Sequence, residues 1–258
     1  MMSFKKVYFS VLLLLPLSTF AQQNNTGNRF STWFVQDPIS IGRNINSNTI
    51  SNVGMITVAL AGISSFDEPS SSYFQKNYSN SKALNWSNNF GEIKYAIPFS
   101  AALFGTSLLS SDKKFQNAAF TSFQSVLYTA STVNISKFVF ARSRPYQNDG
   151  AYDFDFFNSG ETSFPSGHSS TAFALFTPWA MYYPNVLTYS LMVIPAGTAL
   201  ARIAKGKHWA SDVTAGALIG TYWGIFLSKK HLQKVPNNYE ITPFISGNGG
   251  GISVNIAL

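Results

Sequence analysis

"SFPSGHSS", Ser163 to Ser170, runs straight into the apolar stretch "TAFALFTPWAMYY". A Pro-Ser turn ahead of such a run marks the start of a helix. A helix N-terminus carries unpaired backbone N–H groups and partial positive charge, so it is a ready anion site. Here Gly167 lets the backbone come close to an anion, Ser166 adds a hydroxyl, and His168 adds a group that can carry a proton near neutral pH. The chain has only three histidines, and one of them stands in this turn. Alone, the stretch is explained better as a simple helix cap than as an anion cradle.

Its surroundings decide between them. Upstream stands "KFVFARSRP", with Lys137 and Arg144 seven positions apart. That is about two helical turns, which predicts both cations on one face. In a segment this apolar, two cations on one face are costly unless an anion sits between them. Downstream stands "ARIAKGKHWASD", with Arg202, His208 and Asp212. His208 and Asp212 are four apart, as helix neighbours are. A carboxylate so placed holds one imidazole nitrogen and leaves the other free as a nucleophile.

These three blocks, in this order, resemble the signature of the type 2 phosphatidic acid phosphatase superfamily, which also includes class A acid phosphatases and vanadium haloperoxidases. That pattern is K-x6-RP, then PSGH, then SR-x5-H-x3-D. The sequence departs from it once, with Ala201 where the family has Ser. The resemblance implies an all-α core with its site between helices. It implies that His208 attacks phosphorus to form a phosphohistidine and that Asp212 orients it. His168 would protonate the departing alkoxide and then help to activate water. Lys137, Arg144 and Arg202, with Ser166 and the Gly167 amide, would bind the phosphoryl oxygens. Phosphoryl transfer is mostly positioning and charge stabilisation, and three cations with a helix terminus supply both. No cofactor and no metal is expected.

Composition bounds the setting. The chain has 258 residues, 45% of them apolar and 11% charged, with a mean hydropathy of +0.05. Soluble domains carry about 25% charged residues, so this pattern suits helices in or against a membrane with sizeable wet loops. A Phe-rich soluble bundle is the competing reading. Lys5, Lys6, the apolar "VYFSVLLLLPL" and the small-residue end at Ala21 read as a signal peptide over residues 1–21. The stretch is too short for a first transmembrane helix, and polar "QQNNTGN" follows it. Export to the periplasm, with membrane association, is the expectation. Without the leader, sixteen basic residues face eleven acids, an excess that fits an anionic substrate or lipid surface. No basic run points to nucleic acid. With no cysteine, disulfides and thiolate chemistry are excluded.

The organisation reads as a polar lead-in over residues 22–51, a helical phosphatase domain over 52–230 and a tail over 231–258. Six apolar segments predict a bundle of about six helices: Val53–Phe66, Tyr95–Ser110, Phe115–Ala141, Thr171–Tyr183, Val186–Ala204 and Ala210–Leu227. Gly216, Gly220 and Gly224 form a small-residue stripe suited to close helix packing, in a membrane or in a soluble bundle. The tail, "EITPFIS", "GNGGG", "ISVNIAL", carries a β-hairpin signal. Between the segments, the polar stretch from Asp67 to Glu92 reads as a long loop. A second loop, Tyr146–Phe164, mixes acids with aromatics that either pack on the bundle or dip into lipid. Lys205 and Lys207 either widen the positive field or lie on a solvated turn, and His231, among lysines, reads as a surface residue.

The leading expectation is a phosphatase for monoester or pyrophosphate groups on a lipid. A soluble-type acid phosphatase acting on small phosphate esters and a lipid phosphotransferase are the alternatives, with a vanadate-dependent haloperoxidase behind them. The oligomeric state is left open by the sequence.

Overall fold

The computed structural model describes residues 26–43, 47–160, 162–232, 239–246 and 249–256. The expected signal peptide lies outside them. The helices are α1 (Thr26–Arg43), α2 (Ser47–Ser64), α3 (Asp67–Tyr78), α4 (Lys82–Asn88), α5 (Ile93–Ser107), α6 (Lys113–Phe140), α7 (Gly167–Tyr182), α8 (Val186–Ser190), α9 (Val193–Ala204) and α10 (Ala210–Leu232). Past α10, β1 (Tyr239–Ser246) runs antiparallel to β2 (Gly249–Ile256), with Tyr239 opposite Ile256.

Every apolar segment of the sequence falls on a helix, but there are more helices than six. Val186–Ala204 breaks into α8 and α9. The stretch read as a long loop contains α3 and α4. Neither has an apolar stripe to announce it. Asp67 and Glu68 occupy the first turn of α3, where negative charge favours the helix dipole. Ser81 caps α4 by accepting from the Leu84 amide at 3.4 Å.

Helices α6, α7 and α10 pack on one another at the centre; α5 flanks α6, and α9 lies against α3, α4 and α7. The contact between α7 and α10 is close because α10 presents its glycine stripe. A Cβ on Gly216 or Gly220 would collide with the carbonyl oxygen of Ser166 or Ser170, and one on Gly224 with Thr177.

Part of the polar lead-in is helical and packs on the bundle. From α1, Phe30 packs against Phe104 and Phe120, and Arg29 donates to Gln116 at 2.7 Å. Asp37, fully buried, pairs with Lys230 at 2.8 Å and with His231 at 2.9 Å, and accepts from Gln124 at 2.8 Å. His231 is therefore a buried residue, 7% exposed, stacked on Trp33 and bonded to Thr121. The surface expectation fails because α1 covers the end of α10.

Much of the interior is Ala, Ser, Thr and Gly, while large apolar side chains point outward: Leu109 is 90% exposed, Val186 84% and Val58 74%. Val186–Ala204, with a mean hydropathy of 1.5, is long and apolar enough to cross a membrane.

Candidate active site

The site lies where the start of α7 meets the end of α6, the end of α9 and the start of α10. Ser166 is the N-cap of α7, and its hydroxyl accepts from the Ser169 amide at 3.4 Å. Cap and cradle are thus one structure, with Gly167 as the first helical residue. The Ser166 amide donates to the Asp212 carbonyl at 3.0 Å, which ties this turn to the start of α10.

Lys137 and Arg144 converge, though not on one helical face as the spacing suggested. Helix α6 ends at Phe140, where Ala141 takes a left-handed conformation (φ 39°), and Arg144 lies in the loop beyond. The two cations meet at the Thr162 carbonyl instead, Lys137 Nζ at 2.7 Å and an Arg144 Nη at 3.1 Å. Burial pushes the Lys137 ammonium down to about 7; the Arg144 and Arg202 guanidiniums push the same way, while Asp212 opposes them. Arg202 reaches the site from the last turn of α9 and donates to Asn88 at 3.1 Å. The Nε–H groups of Arg144 and Arg202 are buried without a hydrogen-bond partner among the described residues. Close-set cations with spare donors make a site for an anion.

His208 follows a turn that folds back on α9. The amides of Lys207 and His208 both donate to the Arg202 carbonyl, and Gly206 (φ 61°) supplies the left-handed residue the turn requires. His208 precedes α10, so the pair with Asp212 is not one of neighbours within a helix. His208 Nδ1 nevertheless lies 3.7 Å from Asp212 Oδ2 and 3.4 Å from the Ser163 hydroxyl. Burial pushes the imidazole down to about 3, against the pull of the Asp212 carboxylate. The neutral ring is the form able to attack an electrophile. Lys205 and Lys207 are exposed, and Lys207 lies over the Tyr146 ring at 4.4 Å.

The Asp212 carboxylate is held by three donors. It accepts from Arg142 at 2.7 Å, from the Trp209 amide at 2.9 Å and from the Ser163 hydroxyl. Burial pulls its carboxyl upward, but His208, Arg142 and Ser163 outweigh that and hold it below the ordinary range. Arg142 in turn donates to Asp67 at 2.7 Å, to the Ser211 hydroxyl at 2.7 Å and to the Ala151 carbonyl at 2.8 Å. Sequence reasoning missed this network. Arg142 stood inside the quoted "ARSRP", but its partner Asp67 lay in a stretch read as loop.

Beside the start of α7 is a cavity of about 130 Å³, bordered by Lys137, His168, Glu92, Ile93, Ala130 and Val133. His168 is one-fifth exposed there, and its Nε2 lies 3.1 Å from a carboxylate oxygen of Glu92. Glu92 was also missed, a lone acid before an apolar helix. All eight residues singled out from the motifs therefore gather around one region of the bundle.

The sequence model of the PAP2 superfamily matches residues 118–236, a span that contains all eight. A lipid A 1-phosphatase of Porphyromonas gingivalis is 37% identical over 95 residues, which are 36% of this chain and 19% of that protein. A lipid A 1-phosphatase of Rhizobium etli is 28% identical over 151 residues, 53% of this chain and 65% of that protein. The chain spans less than two thirds of the length of these curated relatives. The crystal structure of Aquifex aeolicus LpxE is 20% identical, with a TM-score of 0.46 over 64% of this chain and 95% of that one.

Proposed function

We propose, from the match of the PAP2 superfamily model to residues 118–236, that the chain hydrolyses a phosphate monoester or pyrophosphate group carried by a lipid. The observation that carries the chemistry is the meeting of Lys137 and Arg144 at Thr162 beside the buried His208–Asp212 pair. The bound phosphoryl group would lie against Lys137, Arg144, Arg202, Ser166 and the Gly167 amide, where fixed donors stabilise the charge of the transition state. His208 attacks phosphorus while Asp212 steadies the imidazolium that forms. The P–O bond to the leaving group breaks, and its electron pair takes a proton from His168. In the second half His168 accepts a proton from water, which attacks the phosphohistidine and frees His208 and inorganic phosphate. The cations and the helix terminus occupy the role a metal clamp plays elsewhere.

Two observations favour a lipid over a soluble ester. Large apolar side chains cover the outside of the helices, as they do in proteins solvated by acyl chains. The curated relatives named above carry the name lipid A 1-phosphatase, so lipid A is the first substrate to test. We place the protein at a bilayer, on the periplasmic side to which a signal peptide would deliver it.

The test is phosphate release from lipid A, phosphatidic acid, undecaprenyl pyrophosphate and a short soluble ester, with and without detergent. Lipid turnover should exceed turnover of the soluble ester, survive EDTA and fall with orthovanadate. His208→Ala should abolish it, and Asp212→Asn should leave a weak residue of activity. Loss on chelation with recovery on added metal, or a His208→Ala enzyme keeping a few per cent of the rate, would overturn the scheme.

A further inference from the structure

From the contact at the cavity mouth we infer that Glu92 is a positioning residue for the proton-donating step: it holds the His168 ring and favours its protonated form. This rests on the phosphatase reading above. The geometry stands on its own. Glu92 is the N-cap residue of α5, yet its side chain makes no capping bond to that helix. It reaches His168 Nε2 at 3.1 Å instead, at the edge of the cavity that Lys137 also borders.

The backbone behind Glu92 is pinned so that this contact is built in. Gly91 lies so close to α7 that a Cβ there would strike the His168 carbonyl and Thr198. The Thr198 hydroxyl donates to the Ser87 carbonyl, and Arg202 donates to Asn88. Three ties within six residues fix where Glu92 begins. The site thus holds two carboxylate–imidazole pairs of opposite character. Asp212 beside His208 is buried and shared with Arg142, whereas Glu92 beside His168 is 31% exposed at the mouth.

Chemistry asks for the second pair. A protonated His168 donates one N–H to Glu92 and keeps the other for the leaving oxygen. When the P–O bond breaks, that proton moves to the oxygen and the imidazole is left neutral. Two charges facing His168 oppose its protonation, Arg202 from α9 and Lys205 from the following turn, and Lys137 borders the same cavity. Burial and the Arg202 charge push the ring down to about 4, and Glu92 is the group that opposes them. Lys94, 3.9 Å from Glu92, lies on its far side.

The experiment compares Glu92→Gln with wild type on an alkyl phosphate and on p-nitrophenyl phosphate, whose leaving group needs little protonation. Removing one opposite charge at this range shifts a pKa by a unit or more. The alkyl ester should therefore lose about tenfold in kcat at neutral pH, and the nitrophenyl ester less than about threefold. The alkaline limb of the kcat profile for the alkyl ester should move about one pH unit lower, because the acid form of His168 is then lost earlier. Glu92→Asp should recover part of the loss, and Gly91→Ala, which displaces Glu92, should reproduce it. Equal losses on both esters with an unmoved alkaline limb would overturn the inference. A wild-type protein inactive on both esters would instead overturn the phosphatase reading on which it rests.

Discussion

At the scale of single residues, Arg142 decides the energetics of the site. It is 2% exposed and stands between two fully buried carboxylates, Asp67 and Asp212. Breaking such a group by removing one partner leaves uncompensated charge inside and costs about 3–5 kcal/mol. Arg142→Leu should accordingly lower the unfolding free energy by about that amount in denaturant melts, whereas Arg144→Leu should cost far less while still impairing turnover. His208 gives a pH dependence. Its folded-state pKa, near 3, lies below the ordinary value of about 6.5. Between those values the unfolded chain binds the extra proton, so stability falls as pH drops from about 6.5 towards 3. His208→Gln should flatten that part of a Tm-against-pH curve. The eight candidate residues could be picked out together because their three blocks resemble a family pattern. Asp67 and Glu92 could not, because only tertiary folding brings α3 and the start of α5 to the site. His231 was misread for the same reason: nothing local tells that Trp33 and Asp37 cover it.

At the scale of elements, the glycine stripe of α10 makes a sharp comparison. Gly220→Ala forces α10 away from the Ser170 carbonyl, and overpacking of this kind costs about 1–3 kcal/mol. Because α7 carries His168 on its first turn, the variant should lose both stability and rate. Gly62, on α2, has nothing within 4 Å of an added Cβ, so Gly62→Ala should stabilise by about 0.5–1 kcal/mol through helix propensity alone. Paired melts of the two variants check both signs. The stripe was readable from sequence, and so were the six apolar segments, since hydrophobic runs of this length have few other uses. The boundaries were less readable. Arg144 was placed on α6 by counting turns, but the helix stops at Phe140, where the chain bends back towards Phe154.

At the scale of the whole molecule, the outward apolar surface continues into the aromatic loop. Phe156 is 57% and Phe157 67% exposed, and they pair with Phe140 and Phe138 at the end of α6. The rings thus pack on the bundle, as the first reading of this loop has it, while much of their surface faces outward. Aromatic rings favour the lipid interface. Replacing Phe156 and Phe157 by Ser should cut activity on lipid phosphate in vesicles several-fold and leave a short soluble ester nearly unchanged. Equal losses with a lowered Tm would assign the rings to packing alone.

The buried network around Arg142 also sets a schedule for synthesis. Asp67 and Ser211, which share a hydrogen bond, are 144 positions apart in the chain. At about 5–20 residues per second, Asp67 emerges roughly seven to thirty seconds before its partner. Until then Arg142 can meet Asp67 but not Asp212, and the site has a cation without its second counter-charge. A message cut short between Arg142 and Asp212 would thus yield a polypeptide with a half-matched arginine and without Asp212, not a half-active enzyme.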